Sequence, residues 1–263
     1  MTVAIAIAGA AGRMGRALVA AAAADAGFRI VGATERPGSA AHGGALGALG
    51  VMVTDSAQTA AVNADIWIDF TAPAATLAAL EALRTTPVRA AIVGTTGFSA
   101  DEAAQLARAA ARIAIVASGN FSLGVNLLAS LVRQAASRLG PDWDIEIVEA
   151  HHRRKQDAPS GTALLLGQAA AAGRGRTLSQ ARLAPHAGGG EARAEGGIGF
   201  ASIRGGGIVG DHDVSFAAET EIVTLSHRAL DRAAFADGAL AAARWAADKQ
   251  PGLYSMQDVL ALP

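Results

Sequence analysis

The sequence predicts an α/β fold, a doubly wound parallel sheet joined to a second, α+β domain, and three observations carry that reading. Over the first 120 residues short apolar runs alternate with helical segments, the pattern of a parallel sheet covered by helices on both faces. Beyond Ser122, strand-like runs come to follow one another directly, as in a mixed or antiparallel sheet. A glycine-rich turn, Gly9 to Gly15, stands where the first strand gives way to the first helix.

Strands are expected at Val3 to Ala8, Arg29 to Thr34, Ile66 to Phe70, Arg89 to Val93 and Ile113 to Ala117. Each is a continuous apolar run, as burial on both faces requires. Helices near Met14 to Ala24, Ala74 to Leu83 and Ala100 to Ala111 separate them. A long helix, Val125 to Leu139, then precedes a strand at Ile145 to Ala150 and an alanine- and leucine-rich helix with Ser160 as its N-cap. Strands at Gly199 to Ile203, Val209 to Ala217 and Glu221 to Ser226 follow, and a closing helix, Phe235 to Ala247, returns to the first domain. The expected domains are 1–122 with 231–263, and 123–230. The glycine- and alanine-rich loops at Gly38 to Gly50 and Gly188 to Gly197 are the expected mobile segments.

The chain has 263 residues, half of them apolar, which is ample for two modest cores. Its formal net charge is −1, with no long arginine run and no aromatic-basic interleaving, so the electrostatic footprint of nucleic-acid binding is missing. No apolar run reaches the ~18 residues of a membrane span. The start, VAIAIAG, reads as a strand and not as a signal peptide, so a cytoplasmic location is expected. Cysteine is absent, which excludes disulfides, thiolate zinc sites and thiol nucleophiles. Chemistry is left to histidine, lysine, carboxylates, hydroxyls or a cofactor, and no metal is expected.

In Gly9-Ala10-Ala11-Gly12-Arg13-Met14-Gly15 the first glycine permits a tight turn, the second an approach to pyrophosphate and the third close packing of helix on strand. The spacing is G-x-x-G-x-x-G, a variant of the usual dinucleotide fingerprint. Glu35 ends the second strand, where a carboxylate accepts hydrogen bonds from adenosine ribose hydroxyls, and Arg36 can meet a 2′-phosphate. Gly94-Thr95-Thr96 and Ser118-Gly119-Asn120-Phe121 end two further strands at the same sheet edge and offer amides and small hydroxyls for a nicotinamide ribose and carboxamide. Together these segments fit one extended nucleotide, NADH or NADPH, on a Rossmann-type sheet.

The stretch EAHHRRKQDAPSGTA, Glu149 to Ala163, sets His151, His152 and Lys155 just before a helix N-terminus. Only Lys155 and Lys249 are lysines among 22 basic residues, and an ammonium, unlike a guanidinium, can lose its proton near neutral pH when crowded by other cations. Lys155 is therefore a candidate acid. The first amides after Ser160 suit a carboxylate or phosphate, with Gly161 allowing close approach and the Thr162 hydroxyl able to add a hydrogen bond.

Taken in order, GAAGRMG, IDFTAP, GTTGF, GNFSLGVN, EAHHRRKQDAPSGTA, IGFASIRGGGIVGDH and PGLYSMQDVL cover nearly the whole chain, which resembles the dihydrodipicolinate (4-hydroxy-tetrahydrodipicolinate) reductase family of diaminopimelate and lysine biosynthesis. The resemblance implies an N-terminal Rossmann domain completed by the end of the chain. It also implies a middle domain that binds the substrate, a cyclic dicarboxylate, and assembles homotetramers. It implies reduction by NADH or NADPH, with Gly9 to Met14 on the pyrophosphate, Glu35 on the adenosine ribose and Arg36 on a 2′-phosphate. Gly94 to Thr96 and Ser118 to Phe121 would line the nicotinamide side. His151 would be proton donor or acceptor, Lys155 a proton donor, His152 a substrate contact, and Gly161 with Thr162 the carboxylate clamp. One departure is GGGEAR, Gly188 to Arg193, where relatives often show G-x-x-G-x-R and this chain has Glu191 in the second glycine's place.

With cofactor and acid expected in different domains, closure about hinges near Ser122 and Arg232 is expected. Two other readings are another amino-acid-pathway dehydrogenase and a non-catalytic NAD(P)H sensor. The first leaves HHRRK and PSGT without a role, and the second has no use for a titratable Lys155.

Overall fold

The structure, a computed structural model, describes residues 2–184 and 193–262. Gly188 to Ala192, including Glu191, lie outside the described residues. The chain forms two compact units, Met1–Leu123 with Ala233–Ala261, and Gly124–Arg232.

In the first unit the chain runs β1 (Val3–Ala8), α1 (Arg13–Ala24), β2 (Phe28–Thr34), β3 (Val53–Thr54), α2 (Ala57–Ala60) and β4 (Ile66–Asp69). It continues through α3 (Pro73–Ala82), β5 (Ala90–Val93), α4 (Ala100–Ala109) and β6 (Ala114–Ala117). The seven-stranded sheet has the order β11-β6-β5-β4-β1-β2-β3, with β11 (Gly252–Tyr254) supplied from the end of the chain. Every neighbouring pair is parallel.

All residues of β1, β4 and β5 are buried, which is why they read as unbroken apolar runs. Their alternate side chains feed two cores. Ile5, Ile7, Ile68 and Ile92 pack with Leu18 and with the alanines of α8 (Ala233–Ala246). Ala6, Ala8, Trp67 and Ala91 pack with Leu80 and Leu106 on the other face. Burying each isoleucine contributes roughly 1.5–3 kcal/mol. The strand order reverses between β1 and β4, so a topological switch point lies beyond their carboxyl ends, where open parallel sheets bind ligands.

In the second unit the order is α5 (Leu123–Arg138), β7 (Asp144–His151), α6 (Gly161–Gly173), α7 (Leu178–Ala181), β8 (Ile198–Arg204), β9 (Gly210–Ala217) and β10 (Ile222–Ala229). The sheet is mixed, ordered β10-β9-β7-β8, with β7 and β8 parallel and the other pairs antiparallel. Val132 of α5 and Leu166 of α6 pack on Ile145, Ile147, Ile198, Val214 and Phe216. The short α9 (Met256–Val259) closes the first unit behind a Ser255–Asp258 capping box. Among the described residues, no helix is long and apolar enough to cross a membrane.

Candidate active site

The turn between β1 and α1 is built around its glycines. Gly9 has φ of +63°, in the left-handed region, and a Cβ on Gly15 would stand 2.1 Å from the Gly9 oxygen and 2.7 Å from Ala10 Cα. Helix and loop therefore touch through bare backbone. Gly12 caps α1 without any side-chain hydrogen bond, leaving the helix N-terminus to an outside acceptor, as a pyrophosphate site requires. Ala10 is fully buried, Met14 packs on the core, and Arg13 is exposed. Ala10 and Met14 thus contribute backbone to the loop.

Glu35 follows β2, its own amide donating to the Thr54 oxygen at 2.9 Å. Its Oε1 accepts the Ala11 N–H at 2.7 Å, which holds the carboxylate against the loop. Arg36 beside it is exposed. An uncapped helix end, a helix-to-loop contact that only glycine allows and a fixed carboxylate fit a dinucleotide.

The loops after β5 and β6 divide into inward and outward parts. The Thr95 hydroxyl accepts the Thr71 N–H at 3.0 Å and bonds the Thr76 hydroxyl at 2.8 Å, so it is engaged inside the unit. Phe121 is likewise a core side chain, its ring 5.2 Å from that of Phe70. Thr96 is exposed. The Ser118 hydroxyl donates to the Asn120 oxygen at 2.7 Å and the Ser122 N–H to Asn120 Oδ1 at 2.8 Å, which shapes the turn after β6. These segments offer a ligand Thr96 and backbone, less than their hydroxyl content suggested.

Buried Asp69, to which sequence reasoning gave no role, organises this edge. Its Oδ1 accepts from the Thr71 hydroxyl at 2.6 Å and the Thr76 hydroxyl at 3.1 Å, with the Thr95 hydroxyl donating to Thr76 and lying 3.3 Å from the same oxygen, and its Oδ2 accepts from the Trp67 indole N–H at 3.2 Å.

In the second unit, alternate residues of β7 turn Ile145, Ile147, Glu149 and His151 to the buried face. The first two join the core and the last two begin a polar cluster. The register sets Glu149 opposite His212 of β9 and His151 opposite Arg204 of β8. His151 Nδ1 and Glu149 Oε2 are 2.5 Å apart. Arg204 donates to both Glu149 oxygens, at 2.8 and 2.7 Å. The Ser160 N–H donates to Glu149 Oε1 at 3.3 Å, and the Ser160 hydroxyl accepts the Ala163 N–H at 3.1 Å while bonding His212 Nε2 at 3.1 Å. One carboxylate therefore joins His151 to the cap of α6. Removing Arg204 would leave a buried charge unpaired, a loss of about 3–5 kcal/mol.

Gly161 and Thr162 head α6, and a Cβ on Gly161 would meet nothing within 4 Å, so the approach to the first amides is open. Arg232 donates to His152 Nε2 at 3.4 Å, and His152 Nδ1 has no partner among the described residues. Desolvation, then the nearby Arg154 and Arg232, lower the His152 pKa, which disfavours the charged ring. Lys155 Nζ pairs with Asp157 Oδ2 at 2.9 Å, so a carboxylate as well as cations surrounds it. The structure gathers His151, His152, Lys155, Gly161 and Thr162 within this second unit. It joins Glu149, Arg204 and His212 to the Ser160 cap through strand register, which no linear motif announces.

Burial pushes the Glu149 carboxyl up, but hydrogen bonds from Arg204, Ser202 and His151 outweigh it and leave the group at about 2, against 4.5 in the unfolded chain. Desolvation, followed by His151, brings His212 down to about 4 from 6.5. Both folded values are depressed, so both groups contribute stability at neutral pH that acid removes. The His212 share is lost as pH falls from 6.5 to about 4, and the Glu149 share from 4.5 to about 2. The urea midpoint should accordingly begin to fall below pH 6.5, ahead of ordinary carboxylate titration. A midpoint unchanged down to pH 4.5 would contradict the His212 share.

Two family models match nearly all of the chain. "Dihydrodipicolinate reductase, N-terminus" covers residues 3–121, and "Dihydrodipicolinate reductase, C-terminus" covers 124–260. A 4-hydroxy-tetrahydrodipicolinate reductase of Cereibacter sphaeroides is 53% identical over 98% of either chain. Its counterpart in Caulobacter vibrioides is 50% identical over 97% of this chain and 96% of its own. Among solved structures, a dipicolinate-bound dihydrodipicolinate reductase from Paenisporosarcina sp. TG-14 superposes with a TM-score of 0.79 at 23% identity, covering 98% of this chain and 99% of that one. An amine dehydrogenase from Mycobacterium smegmatis superposes with a TM-score of 0.66 at 17% identity, over 100% and 96%. At those identities the structural matches speak for the fold.

Proposed function

The chain belongs to the dihydrodipicolinate reductase family, and from that premise we propose how its two units divide the work of the reaction. The protein is an NAD(P)H-dependent oxidoreductase that reduces 4-hydroxy-tetrahydrodipicolinate, by way of dihydrodipicolinate, to tetrahydrodipicolinate in diaminopimelate and lysine biosynthesis. The unit holding Gly9 to Gly15 is the dinucleotide domain and the unit holding β7 and α6 is the substrate domain.

Bound NADH or NADPH supplies the hydride. The turn Gly9, Ala10, Ala11 and Gly12, in which the amides of Ala10, Ala11 and Gly12 are bonded internally, would shape the approach of its pyrophosphate to Arg13 and Met14 at the start of α1, Glu35 would take its adenosine ribose, and Thr96 with the backbone of Gly94, Thr95 and Ser118 to Phe121 its nicotinamide side. The substrate is a dicarboxylate. One carboxylate rests on the amides of Gly161 and Thr162, while His152 meets the ligand through its imidazole. Lys155 adds a cation and a proton at Nζ, and His151 holds or delivers a proton at Nε2. Fixing both ends of the substrate makes positioning the main contribution of these residues. The observation that carries this assignment is the bond of His151 to buried Glu149, the same carboxylate that accepts from the cap of the carboxylate-binding helix. Loss of nicotinamide absorbance, dependent on the cyclic dicarboxylate and blocked by free dipicolinate, tests it. NAD(P)H oxidation indifferent to that substrate would refute it.

Exposed Arg36 beside a Glu35 tied to the loop supports use of both nicotinamides, the guanidinium pairing with a 2′-phosphate. Arg36→Ala should raise KM for NADPH about tenfold, by loss of one charge-assisted contact, and leave that for NADH nearly unchanged. Equal loss with both cofactors would refute the role.

The working form is a homotetramer located in the cytoplasm, with no nucleic-acid or membrane partner. Supporting this, β10 is an open sheet edge with Ile222 67% and Val223 38% exposed, the kind of strand that pairs or is covered. Sedimentation at micromolar concentration should give four chains. A monomer with full activity would contradict it.

A further inference from the structure

We infer that Glu149, fixed by Arg204, is the positioning residue for His151, holding its imidazole with a proton on Nδ1 so that Nε2 is the nitrogen open to chemistry. The inference rests on the reading of His151 as a proton donor or acceptor and names the group that sets which nitrogen works.

The geometry leaves Glu149 little other use. It is 1% exposed, and besides Ser202 it is held by Arg204 and Ser160 on Oε1 and by Arg204 and His151 on Oε2. An ionised carboxylate only accepts hydrogen bonds, so the ring nitrogen at 2.5 Å must be the donor. That fixes the tautomer. Nε2 carries none of the hydrogen bonds found among the described residues, and it lies 3.0 Å from where a Cβ on Gly210 would stand. Glycine at that strand position keeps the nitrogen uncovered. When Nε2 gives up its proton, the Nδ1–H bond to Glu149 stays intact, so the ring needs no reorientation to be recharged.

Arg204 sets the position of the carboxylate. It grips both oxygens and also donates to the Asp157 backbone oxygen at 2.6 Å, which ties β8 to the segment carrying Lys155. The Ser160 N–H on Oε1 adds the helix cap, so a movement of Glu149 would disturb the proton site and the carboxylate clamp together. The charged and titratable groups around His151 are Glu149 on its own strand, Arg204 on β8, His212 on β9 with ring centroids 5.2 Å apart, and His152 and Lys155 just beyond the strand.

The test uses the full chain with histidine labelled in nitrogen-15, whose two-bond proton couplings distinguish the tautomers. Neutral His151 should carry its proton on Nδ1 in the unaltered enzyme. Glu149→Gln should lower kcat by about 10–100-fold, the range for losing an orienting partner, with a smaller change in the substrate KM. It should also change the pH profile of kcat. In a His151→Asn background the same change should cost no further turnover. Gly210→Ala, which leaves the charges untouched, should reduce kcat while the Nδ1–H tautomer persists, giving a second variant if Glu149→Gln folds poorly. A neutral His151 protonated on Nε2, or an equal loss from Glu149→Gln in both backgrounds, would overturn the inference. Normal turnover of His151→Asn with the Nδ1–H tautomer retained in the unaltered enzyme would instead overturn the acid assignment and support the Glu149 hold.

Discussion

Replacing Lys155 by alanine is expected to lower turnover by at least ~10²-fold, the range for losing a general acid, while NADH affinity stays near its original value. Lys155 lies in the second unit, whereas Gly9 to Gly15 and Glu35 lie in the first. Its side chain is 22% exposed and pairs with Asp157, which is 61% exposed, so the pair sits at the surface and contributes at most about 1 kcal/mol to stability. A large loss of turnover with little change in melting would therefore report on chemistry. Lys155→Arg separates charge from proton: the cation remains, but a guanidinium does not deprotonate usefully, so substrate binding should persist with low turnover. Turnover and fluorescence titration with NADH on both variants decide the matter. Near-normal turnover in Lys155→Ala would sink the assignment and leave His151 as the remaining acid.

Gly15→Ala should have an effect of comparable size on the other function. The added methyl would stand 2.1 Å from the Gly9 oxygen and 2.7 Å from Ala10 Cα, and both are backbone atoms that no rotamer change can move aside. Relief requires α1 to shift against β1, which displaces the first amides of α1 from the pyrophosphate. The expected loss of NADH affinity is about 10²-fold, on the order of 3 kcal/mol. Binding of a dicarboxylate analogue to the second unit should be spared. Wild-type NADH affinity in this variant would show that the turn does not hold the dinucleotide.

Legibility followed burial. Strands β1, β4, β5 and β6 lie between two layers of helix, so Ile5, Ile68, Ile92 and Ile115 announce themselves as apolar runs. Strand β3 has two residues and β11 three, too short for any pattern, and both are placed by the sheet they extend. Strand β10 was readable only in part because most of its residues are exposed and apolar content no longer marks a face. At the site, His151, His152, Lys155 and Gly161 are close in sequence and could be read as one motif. Arg204 and His212 reach Glu149 and Ser160 across 55 and 52 positions by strand register, which sequence spacing does not encode. The inward bonding of Thr95 was not legible for a related reason: a hydroxyl at a strand end looks the same in sequence whether it faces a ligand or a buried carboxyl group.

The cluster at Asp69 ties together segments that would otherwise fluctuate separately. Its side chain gathers Trp67 from its own strand, Thr71 before α3, Thr76 within α3 and Thr95 after β5, while its backbone oxygen accepts the Gly94 N–H at 2.8 Å. Lifting Thr71 away withdraws both its hydroxyl and its N–H from the buried Oδ1, a loss of about 1–3 kcal/mol for each bond abandoned. The loops after β4 and β5 should then fray as a single unit, their amides exchanging with deuterium in one shared opening. A rim that opens in one piece holds its shape between turnovers and presents each incoming cofactor with the same surface.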